Sequence, residues 1–224
     1  MKKSLVLFAI IILKAGYMQA QFKFGAKAGF NLTNISSKYD GEKSDKDDRG
    51  NFKSGFQIGL IGEYSFSDVF AIQPGIVFAT QGITHKWSWD DEYSTGESKG
   101  TTNLNYIQIP INAQYKMDLC SMKLLLQAGS YLGYGIGGKY KWERTEDGET
   151  TKGDTKFKFG KSDENGLEPL YDNAFDFGIG LGAGLQFDNI QAVIGYNIGL
   201  ANMVNIDKLS MKNNGLAFTV AYLF

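Results

Sequence analysis

The stretch Phe175-Asp-Phe-Gly-Ile-Gly-Leu-Gly-Ala-Gly-Leu-Gln-Phe187 alternates strictly between two kinds of residue. Its odd-numbered positions are all apolar, whereas its even-numbered positions carry glycine, aspartate or glutamine. A period of two places successive side chains on opposite faces of a β-strand. The stretch therefore predicts a strand with one apolar face and one face of small or polar residues.

The same alternation recurs along the chain and predicts about eight strands. The apolar rows run from Phe24 to Leu32, Phe52 to Tyr64, Phe70 to Phe78, Ile107 to Met117, Leu124 to Ile136, Phe175 to Phe187, Ile190 to Ile198 and Leu216 to Phe224. No segment has a comparable helical period, so the sequence predicts an all-β fold.

Charged residues within these strands occur only on the glycine-rich face. They are Lys23, Lys27, Lys53, Glu63, Lys116, Lys123 and Asp176. A lysine facing lipid at the bilayer midplane costs roughly 2–4 kcal/mol, whereas the lumen of a membrane barrel accepts polar groups. The interior of an eight-stranded barrel is only wide enough for side chains, which explains why so many of the 28 glycines lie on the polar face. We therefore expect an eight-stranded antiparallel up-and-down transmembrane β-barrel with its apolar rows facing lipid.

The connections alternate between short and long. Tight turns are expected at 65–68, 118–121 and 188–189, and long polar stretches at 36–51, 84–102, 139–173 and 201–213. The first three long stretches contain 18 of the 24 acidic residues. Transmembrane barrels have short periplasmic turns and long extracellular loops, so both termini are expected in the periplasm.

The amino terminus has the order of a secretory signal peptide. Lys2 and Lys3 precede an apolar run from Leu5 to Leu13, and small or polar residues lead to Ala20. The run is far shorter than the ~20 residues of a membrane-spanning helix. We expect residues 1–20 to be a cleaved signal peptide and residues 21–224 to form the barrel domain.

Aromatic residues cluster near both ends of the apolar rows and predict two interfacial girdles. The short-turn side has Phe24, Tyr64, Phe70, Tyr115, Phe187, Tyr222 and Phe224, and the long-loop side has Phe30, Phe56, Phe78, Tyr134, Tyr140, Trp142, Phe175 and Tyr196. The final row, with Phe218, Tyr222 and Phe224, resembles the carboxy-terminal strand signal that the barrel assembly machinery recognises.

Four strand motifs resemble the PorT-type outer-membrane β-barrel family of Bacteroidetes. They begin at Gly25 (GAKAGFNLTN), Ile72 (IQPGIVFATQG), Asn105 (NYIQIPI) and Phe175 (FDFGIGLGAGL). The resemblance covers essentially the whole mature chain and implies an integral protein of the outer membrane. It also implies, less specifically, a link to protein secretion, because the named member of the family belongs to a secretion system. It transfers no catalytic residues.

Composition excludes several functions. A formal net charge of −1 is unlike that of a nucleic-acid binder, and one cysteine with one histidine disfavours disulfide scaffolds and zinc sites. We expect no cofactor, since the glycines of 178–184 lie inside a strand and not at a strand-to-helix turn. The enzyme alternative is a hydrolase in which His85, Ser88 and the acids Asp90 to Glu92 form a catalytic group.

Two groups of residues are candidate sites. Trp87, Trp89 and Tyr93 form an aromatic tip in a long loop, suited to a protein partner or a surface glycan, with loop packing as the alternative. The second group lies in the predicted lumen, where we expect Glu63 to form a cross-strand ion pair with Lys23 or Lys27. Lys116, Lys123 and Asp176 are further lumen candidates, and the excess of lysine predicts that any leak prefers anions.

Two functions remain open after these exclusions. The first is a non-enzymatic surface or scaffold protein that contacts a partner, with lipid of the outer membrane as its surroundings. The second is a narrow passive pore for small solutes, which the small strand number disfavours, because open aqueous channels need roughly 16 strands.

Overall fold

The computed structural model describes residues 21–43, 50–90, 95–160 and 172–224. The strands in these ranges are β1 (Phe22–Tyr39), β2 (Glu42–Lys43), β3 (Asn51–Ser65), β4 (Phe70–Asp90), β5 (Thr95–Leu119), β6 (Met122–Glu146), β7 (Glu149–Phe157), β8 (Phe175–Phe187), β9 (Ile190–Gly199) and β10 (Leu209–Leu223). Within the described ranges, no helix has the length and apolar character needed to cross a membrane.

Eight strands close into an antiparallel ring in the order β1, β3, β4, β5, β6, β8, β9 and β10. The ring closes because β10 pairs with β1 without interruption, from Gly25 opposite Leu223 to Tyr39 opposite Leu209. Closure leaves no unpaired edge in the hydrocarbon region, where backbone groups have no water to bond. The short strand β2 pairs with β1, and β7 pairs with the upper half of β6. The predicted eight-stranded barrel is confirmed.

The two faces of the barrel wall differ as the alternation predicts. Leu181 is 70% exposed and Ile76 is 62% exposed on the outside, whereas Glu63 and Gln73 are 2% and 3% exposed inside. An apolar exterior of this kind is unfavourable in water and favourable in a bilayer. The apolar rows therefore form the outer surface of the barrel.

Aromatic pairs occur near both ends of this outer surface. At the short-turn end, Phe70 packs on Tyr115 with ring centroids 5.1 Å apart, and Tyr222 packs on Phe224 at 5.3 Å. At the other end, Tyr134 packs on Phe175 at 5.2 Å. Aromatic rings at both ends of the apolar surface are the arrangement of the interfacial girdles of transmembrane barrels.

The predicted tight turns all lie at one end of the barrel, together with the first and last strands' termini. Cys120 and Asp188 adopt the left-handed conformation in two-residue turns, with φ of 54° and 47°. The backbone N–H of Leu223 donates to the carbonyl of Asn189, which fixes the carboxy-terminal strand beside the β8–β9 turn.

The long polar stretches 84–102 and 139–173 were expected to be loops, and much of both is β-sheet instead. The strands β4 to β7 continue past the barrel rim as a four-stranded extension. At its tip, β6 turns into β7 through Asp147 and Gly148, with φ of 49° and 86°. An Asp-Gly pair with both φ positive is the sequence signal of a tight hairpin turn, so β7 was detectable in principle.

A bulge separates the barrel part of β6 from its extension. Tyr106 pairs with Gly135, but the preceding Asn105 pairs with Gly137, so Ile136 is an extra residue. Beyond it the alternation of β6 is reversed, because an extra residue exchanges the two faces. Tyr140 and Trp142, expected in the outer aromatic girdle, therefore lie on the face that continues the lumen.

Candidate functional site: a closed lumen and a sheet extension

The lower lumen contains a buried ion pair between β3 and β5. Lys116 Nζ donates to Glu63 Oε1, and the two side chains are 6% and 3% exposed. The second carboxylate oxygen, Oε2, accepts from Gln191 Nε2 at 2.7 Å and from Gln73 Nε2 at 3.3 Å. Gln191 Oε1 in turn accepts from Gln73 at 2.9 Å. Such bonds are what a buried ion pair needs to offset its loss of hydration.

The predicted partners of Glu63 were therefore wrong. Lys23 is opposite Glu63 in register, but its ammonium donates to Asn189 Oδ1 at 3.2 Å in the adjacent turn. Lys27 lines the wider middle of the lumen, above the ion pair. Lys116 reaches Glu63 past β4, the strand that separates β3 from β5 in the ring.

Lys123 also lies apart from the lumen network. It is at the start of β6, its side chain is 37% exposed, and it pairs with Asp118 at 3.5 Å across the β5–β6 turn. The proximity of the turn brings its side chain to water at the rim, which alternation alone does not reveal.

The upper lumen holds Asp176 in a second polar group. Its side chain is 1% exposed, and Oδ2 accepts from Asn213 Nδ2 at 3.0 Å and from Tyr131 Oη at 3.3 Å. Between Asp176 and the lower ion pair lies a cavity of about 70 Å³, lined by Lys27, Gln57 and other small or polar residues. The cavity has room for a few water molecules and is small for a solute.

An apolar cluster closes the lumen above Asp176. Its buried members are Ile35, Ile83, Leu104, Tyr106, Phe159, Met203 and Val204. Met203 and Val204 come from the connection between β9 and β10, which was expected to be a polar loop and instead folds into the barrel mouth. Tyr106 Oη contacts Met203 Sδ at 3.6 Å and anchors that connection.

Above this cluster, the inner face of the extension is aromatic. Cross-strand partners share a face, so His85, Trp87 and Trp89 of β4 continue the row that starts at the buried Ile83. Tyr140 and Trp142 join them from β6, opposite Thr102 and Gly100. Trp87 is 49% exposed and Trp142 is 39% exposed. We call Trp87, Trp89, Tyr140 and Trp142 the aromatic face; three of its rings are exposed to solvent and Trp89 is half-buried.

Glycines determine how these rings lie. A Cβ at Gly96 or Gly153 would come closer than 3.0 Å to the ring of Trp89 or Trp142, and a Cβ at Gly100 would come closer than 3.0 Å to the hydroxyl oxygen of Tyr140. Each ring therefore lies across a neighbouring strand in a space that only glycine leaves. Arg144 adds a cation 5.0 Å from the centre of the Trp89 ring. An exposed layer of flat rings beside a guanidinium is a surface suited to binding.

Within the described residues, the members of the hydrolase alternative lie on different faces of β4. His85 stacks on Trp87 with ring centroids 5.3 Å apart on the inner face, whereas Ser88 has the opposite parity and lies on the outer face. Asp90 Oδ1 accepts from the Thr95 hydroxyl at 2.9 Å. Asp91, Glu92 and the candidate Tyr93 lie outside the described residues. Trp87 and Trp89, expected in a loop, lie in strand β4.

Sequence reasoning missed three buried lumen glutamines, Gln73, Gln114 and Gln191. Each lies on the inner face of its strand, so alternation already placed it inside. What the sequence does not contain is the rotation of the strands around the axis, which brings Gln73 and Gln191 to the same carboxylate although they are 118 residues apart.

A closed antiparallel ring with an apolar exterior, aromatic rows at both ends and charges confined to its interior and rims defines an integral β-barrel of the outer membrane. The sequence profile of the outer membrane protein beta-barrel domain matches residues 18–205. The chain belongs to this family.

Solved structures with detectable similarity to this chain include Ail, the attachment invasion locus protein of Yersinia pestis, with 15% identity in one structure, 16% in another, and a TM-score of 0.35 in both. The alignment with Ail covers 91% of this chain and 99% of that chain. Neisserial surface protein A has 12% identity, covers 90% and 97% respectively, and has a TM-score of 0.40. A major outer membrane protein from Thermus thermophilus has 12% identity, covers 91% and 99%, and has a TM-score of 0.36. A search of curated proteins returned no match.

Proposed function

We propose that this protein is a non-enzymatic surface protein of the outer membrane that binds a partner, protein or glycan, through the aromatic face of its extracellular sheet. The observation that carries the proposal is the set of solvent-exposed rings of Trp87, Tyr140 and Trp142, which lie beside the half-buried Trp89 on the inner side of the extension. Aromatic residues and arginine are enriched in binding interfaces because they bury a large area and retain a polar group.

Because the lumen is closed, the structure favours binding of a partner over passage of small solutes. Glu63 and Lys116 fill the lower end, and the cluster around Tyr106 and Met203 fills the upper end. A solute would have to displace both groups to cross, and the intervening cavity holds only a few waters. In liposome swelling with a small sugar, we expect the reconstituted protein to give no uptake. Rapid swelling would favour the narrow passive pore instead.

The binding test uses the full chain folded in lipid nanodiscs. Trp87→Ala and Trp142→Ala should each weaken capture of a surface protein or glycan from the native envelope by about tenfold, as loss of an exposed aromatic anchor does. Ser88→Ala is the matched control, because residue 88 lies on the same hairpin but on its outer face. Equal capture by both tryptophan variants and the control would refute the proposal.

Within this proposal, the resemblance to the PorT-type family indicates one kind of partner, a component of a protein secretion system. Affinity purification of the tagged protein from its native outer membrane, followed by mass spectrometry, tests this more specific form. Recovery of only unrelated proteins, together with unchanged secretion in a deletion strain, would remove the secretion role and leave the surface role standing.

Export and assembly complete the proposal. Residues 1–20 are proposed to be removed after export, leaving residues 21–224 as the barrel domain with both termini in the periplasm. Phe218, Tyr222 and Phe224 lie on the outer surface at the carboxy-terminal strand and are 46%, 48% and 72% exposed. Their exposure suits recognition by the barrel assembly machinery, which we propose reads them before the barrel closes. Phe224→Ser should reduce the amount of folded protein in the outer membrane, measured by heat-dependent gel mobility.

A further inference from the structure

The outer face of the extension carries lysine where its inner face carries aromatic rings. Cross-strand register places six lysines on this outer face: Lys86 on β4, Lys99 on β5, Lys139 and Lys141 on β6, and Lys152 and Lys156 on β7. The chain as a whole has a formal net charge of −1, so the concentration of lysine on one face is a local feature. We call these six residues the lysine band.

Acidic residues neutralise only part of this band. Asp154 lies within hydrogen-bond reach of Lys139, at 2.8 Å, and Glu143 lies between Lys99 and Lys152 in register. Asp90 and Glu97 lie on the same outer face, so four acids stand among the six lysines. Among the residues that the structure describes, Lys139 is the only member of the band in an ion pair. The other five members, Lys86, Lys99, Lys141, Lys152 and Lys156, are exposed. The band therefore presents an excess of positive charge to whatever lies beside it.

The outer face of the extension continues directly from the lipid-facing surface of the barrel. The upper aromatic row is marked by Ile107 opposite Tyr134, and Asn103 opposite Lys139 is four residues higher on β5. Strand residues rise ~2.4 Å each along the membrane normal when a strand with 3.4 Å per residue is tilted by about 45°. Lys139 therefore lies about 10 Å above Tyr134 on the same strand, and Lys141 about 14 Å above it. Lys156 is the register partner of Lys139 on β7, and the same tilt makes its height differ from that of Lys139 by ~3.4 Å.

These heights bring the lower lysines to the headgroups. The polar zone on each side of a bilayer is about 5–8 Å deep, and a lysine extends its charged end toward it by about 6 Å. Lys86, Lys99 and Lys152 are two residues farther from the barrel in register than Lys141. The lower row, Lys139, Lys141 and Lys156, is therefore the part of the band nearest the barrel and its lipid-facing surface, and the upper row, Lys86, Lys99 and Lys152, is farther along the strands.

We propose that the lysine band is a lipid-binding site in which Lys139, Lys141 and Lys156 contact the phosphate groups of anionic lipids in the outer leaflet. Ammonium groups bind phosphate as point charges, and basic residues near a membrane surface each add to attraction for anionic lipid. This contact would hold the extension upright beside the membrane, with its aromatic face turned away from lipid. It is independent of the partner proposed for that face.

The test measures lipid selectivity of the full chain in vesicles of phosphatidylcholine with a minority of phosphatidylglycerol, whose headgroup is compact. Electron spin resonance compares the association of spin-labelled phosphatidylglycerol with that of spin-labelled phosphatidylcholine. We expect the wild type to prefer the anionic probe roughly two- to fivefold, and the preference to weaken as salt is added. Heat-dependent gel mobility verifies that each variant is folded.

Two triple variants that lose the same charge distinguish lipid contact by the lower row from binding of a soluble polyanion by the whole band. The lower variant, Lys139→Gln with Lys141→Gln and Lys156→Gln, should lose most of the preference. The upper variant, Lys86→Gln with Lys99→Gln and Lys152→Gln, should retain most of it. Absence of any preference in the wild type would overturn the proposal. Equal loss in both variants, accompanied by their equal loss of binding to soluble heparin, would overturn it in favour of a soluble polyanion.

Discussion

At the scale of single residues, the lower lumen depends on one carboxylate. Glu63 is 2% exposed and accepts hydrogen bonds from Lys116, Gln73 and Gln191, so four strands meet at one side chain. The glutamine amides bond to the charged carboxylate and to each other. Removal of either charge is therefore expected to disturb the hydrogen bonds of the whole network and to lower the free energy of unfolding.

Removing one charge of the pair should be more harmful than removing both. Lys116→Met leaves the Glu63 carboxylate buried without a cation, which typically costs about 3–5 kcal/mol of folding free energy. Glu63→Gln combined with Lys116→Met should recover a large part of that loss, because no unpaired charge remains. Urea unfolding from lipid vesicles gives the free energy of each variant. Additive losses in the double variant would show that the two side chains are not coupled.

Sequence reasoning placed the correct residues inside but did not pair them correctly. Parity assigned Glu63, Lys116 and Asp176 to the lumen, because one buried face fixes the register of a strand. It did not reveal that Lys116 reaches past β4 while Lys23 bends toward Asn189. Parity is a property of one strand, whereas side-chain pairing depends on the shear and width of the closed ring.

At the scale of elements, one extra residue determines what the extension presents. The bulge at Ile136 exchanges the faces of β6, so that lysines continue the lipid-facing side and Tyr140 and Trp142 continue the lumen side. Without the bulge, the same residues would occupy the opposite faces. The sequence pattern could not reveal this exchange of faces. The residues of β6 before Ile136 and those after it each alternate regularly, so neither part indicates a bulge.

A glycine-to-valine change should displace one ring of the aromatic face. In Gly153→Val the new side chain meets the Trp142 ring, which must move outward into water. With Trp87 and Trp89 replaced by Phe, the remaining Trp142 fluorescence should shift to longer wavelength and become easier to quench with acrylamide. Lys152→Val, one residue away on the outer face, serves as the control and should leave the emission unchanged. An unaltered spectrum in Gly153→Val would contradict the placement of Trp142.

The β6–β7 hairpin should respond to acid through Asp154. The hydrogen bond from Lys139, at 2.8 Å, holds the pKa of the Asp154 carboxyl below its ordinary value of 3.8. Because the pKa of Asp154 is lower in the folded protein than its ordinary value, the contact stabilises the hairpin fully at any pH above that ordinary value. This stabilisation is lost as the pH falls through the pKa of the folded protein. Side-chain carboxyl NMR should therefore give a midpoint below 3.8, and Lys139→Met should raise it. A midpoint at or above the ordinary value would show that the pair does not persist in solution.

At the scale of the whole molecule, a closed eight-stranded barrel carries at one end the extension with its exposed aromatic face. The fold was predictable because membrane and lumen impose opposite demands on alternate residues over eight strands. The extension was not predicted as sheet because its strands are exposed to water on both faces, which removes the apolar alternation on which the prediction relied. The folding of Met203 and Val204 into the mouth was likewise hidden, since both belong to a short irregular connection in a polar stretch.

The orientation of this molecule can be tested with its single cysteine. Cys120 is exposed in the β5–β6 turn, at the end of the barrel that also contains Phe22 and Phe224. If this end faces the periplasm, a maleimide coupled to a polymer too large for porins should leave Cys120 unlabelled in intact cells. Labelling should appear once the outer membrane is permeabilised, because the turn is then reachable from water.

The matched control moves the thiol to the opposite end of the same chain. Cys120→Ser combined with Ser88→Cys places it on the exposed outer face of the extension, where intact cells should be labelled without permeabilisation. The reverse result, with Cys120 labelled in intact cells and the thiol at position 88 protected, would place the extension in the periplasm. Both the aromatic face and the lysine band would then lie on the periplasmic side of the membrane, and neither the surface partner nor the outer-leaflet contact could stand.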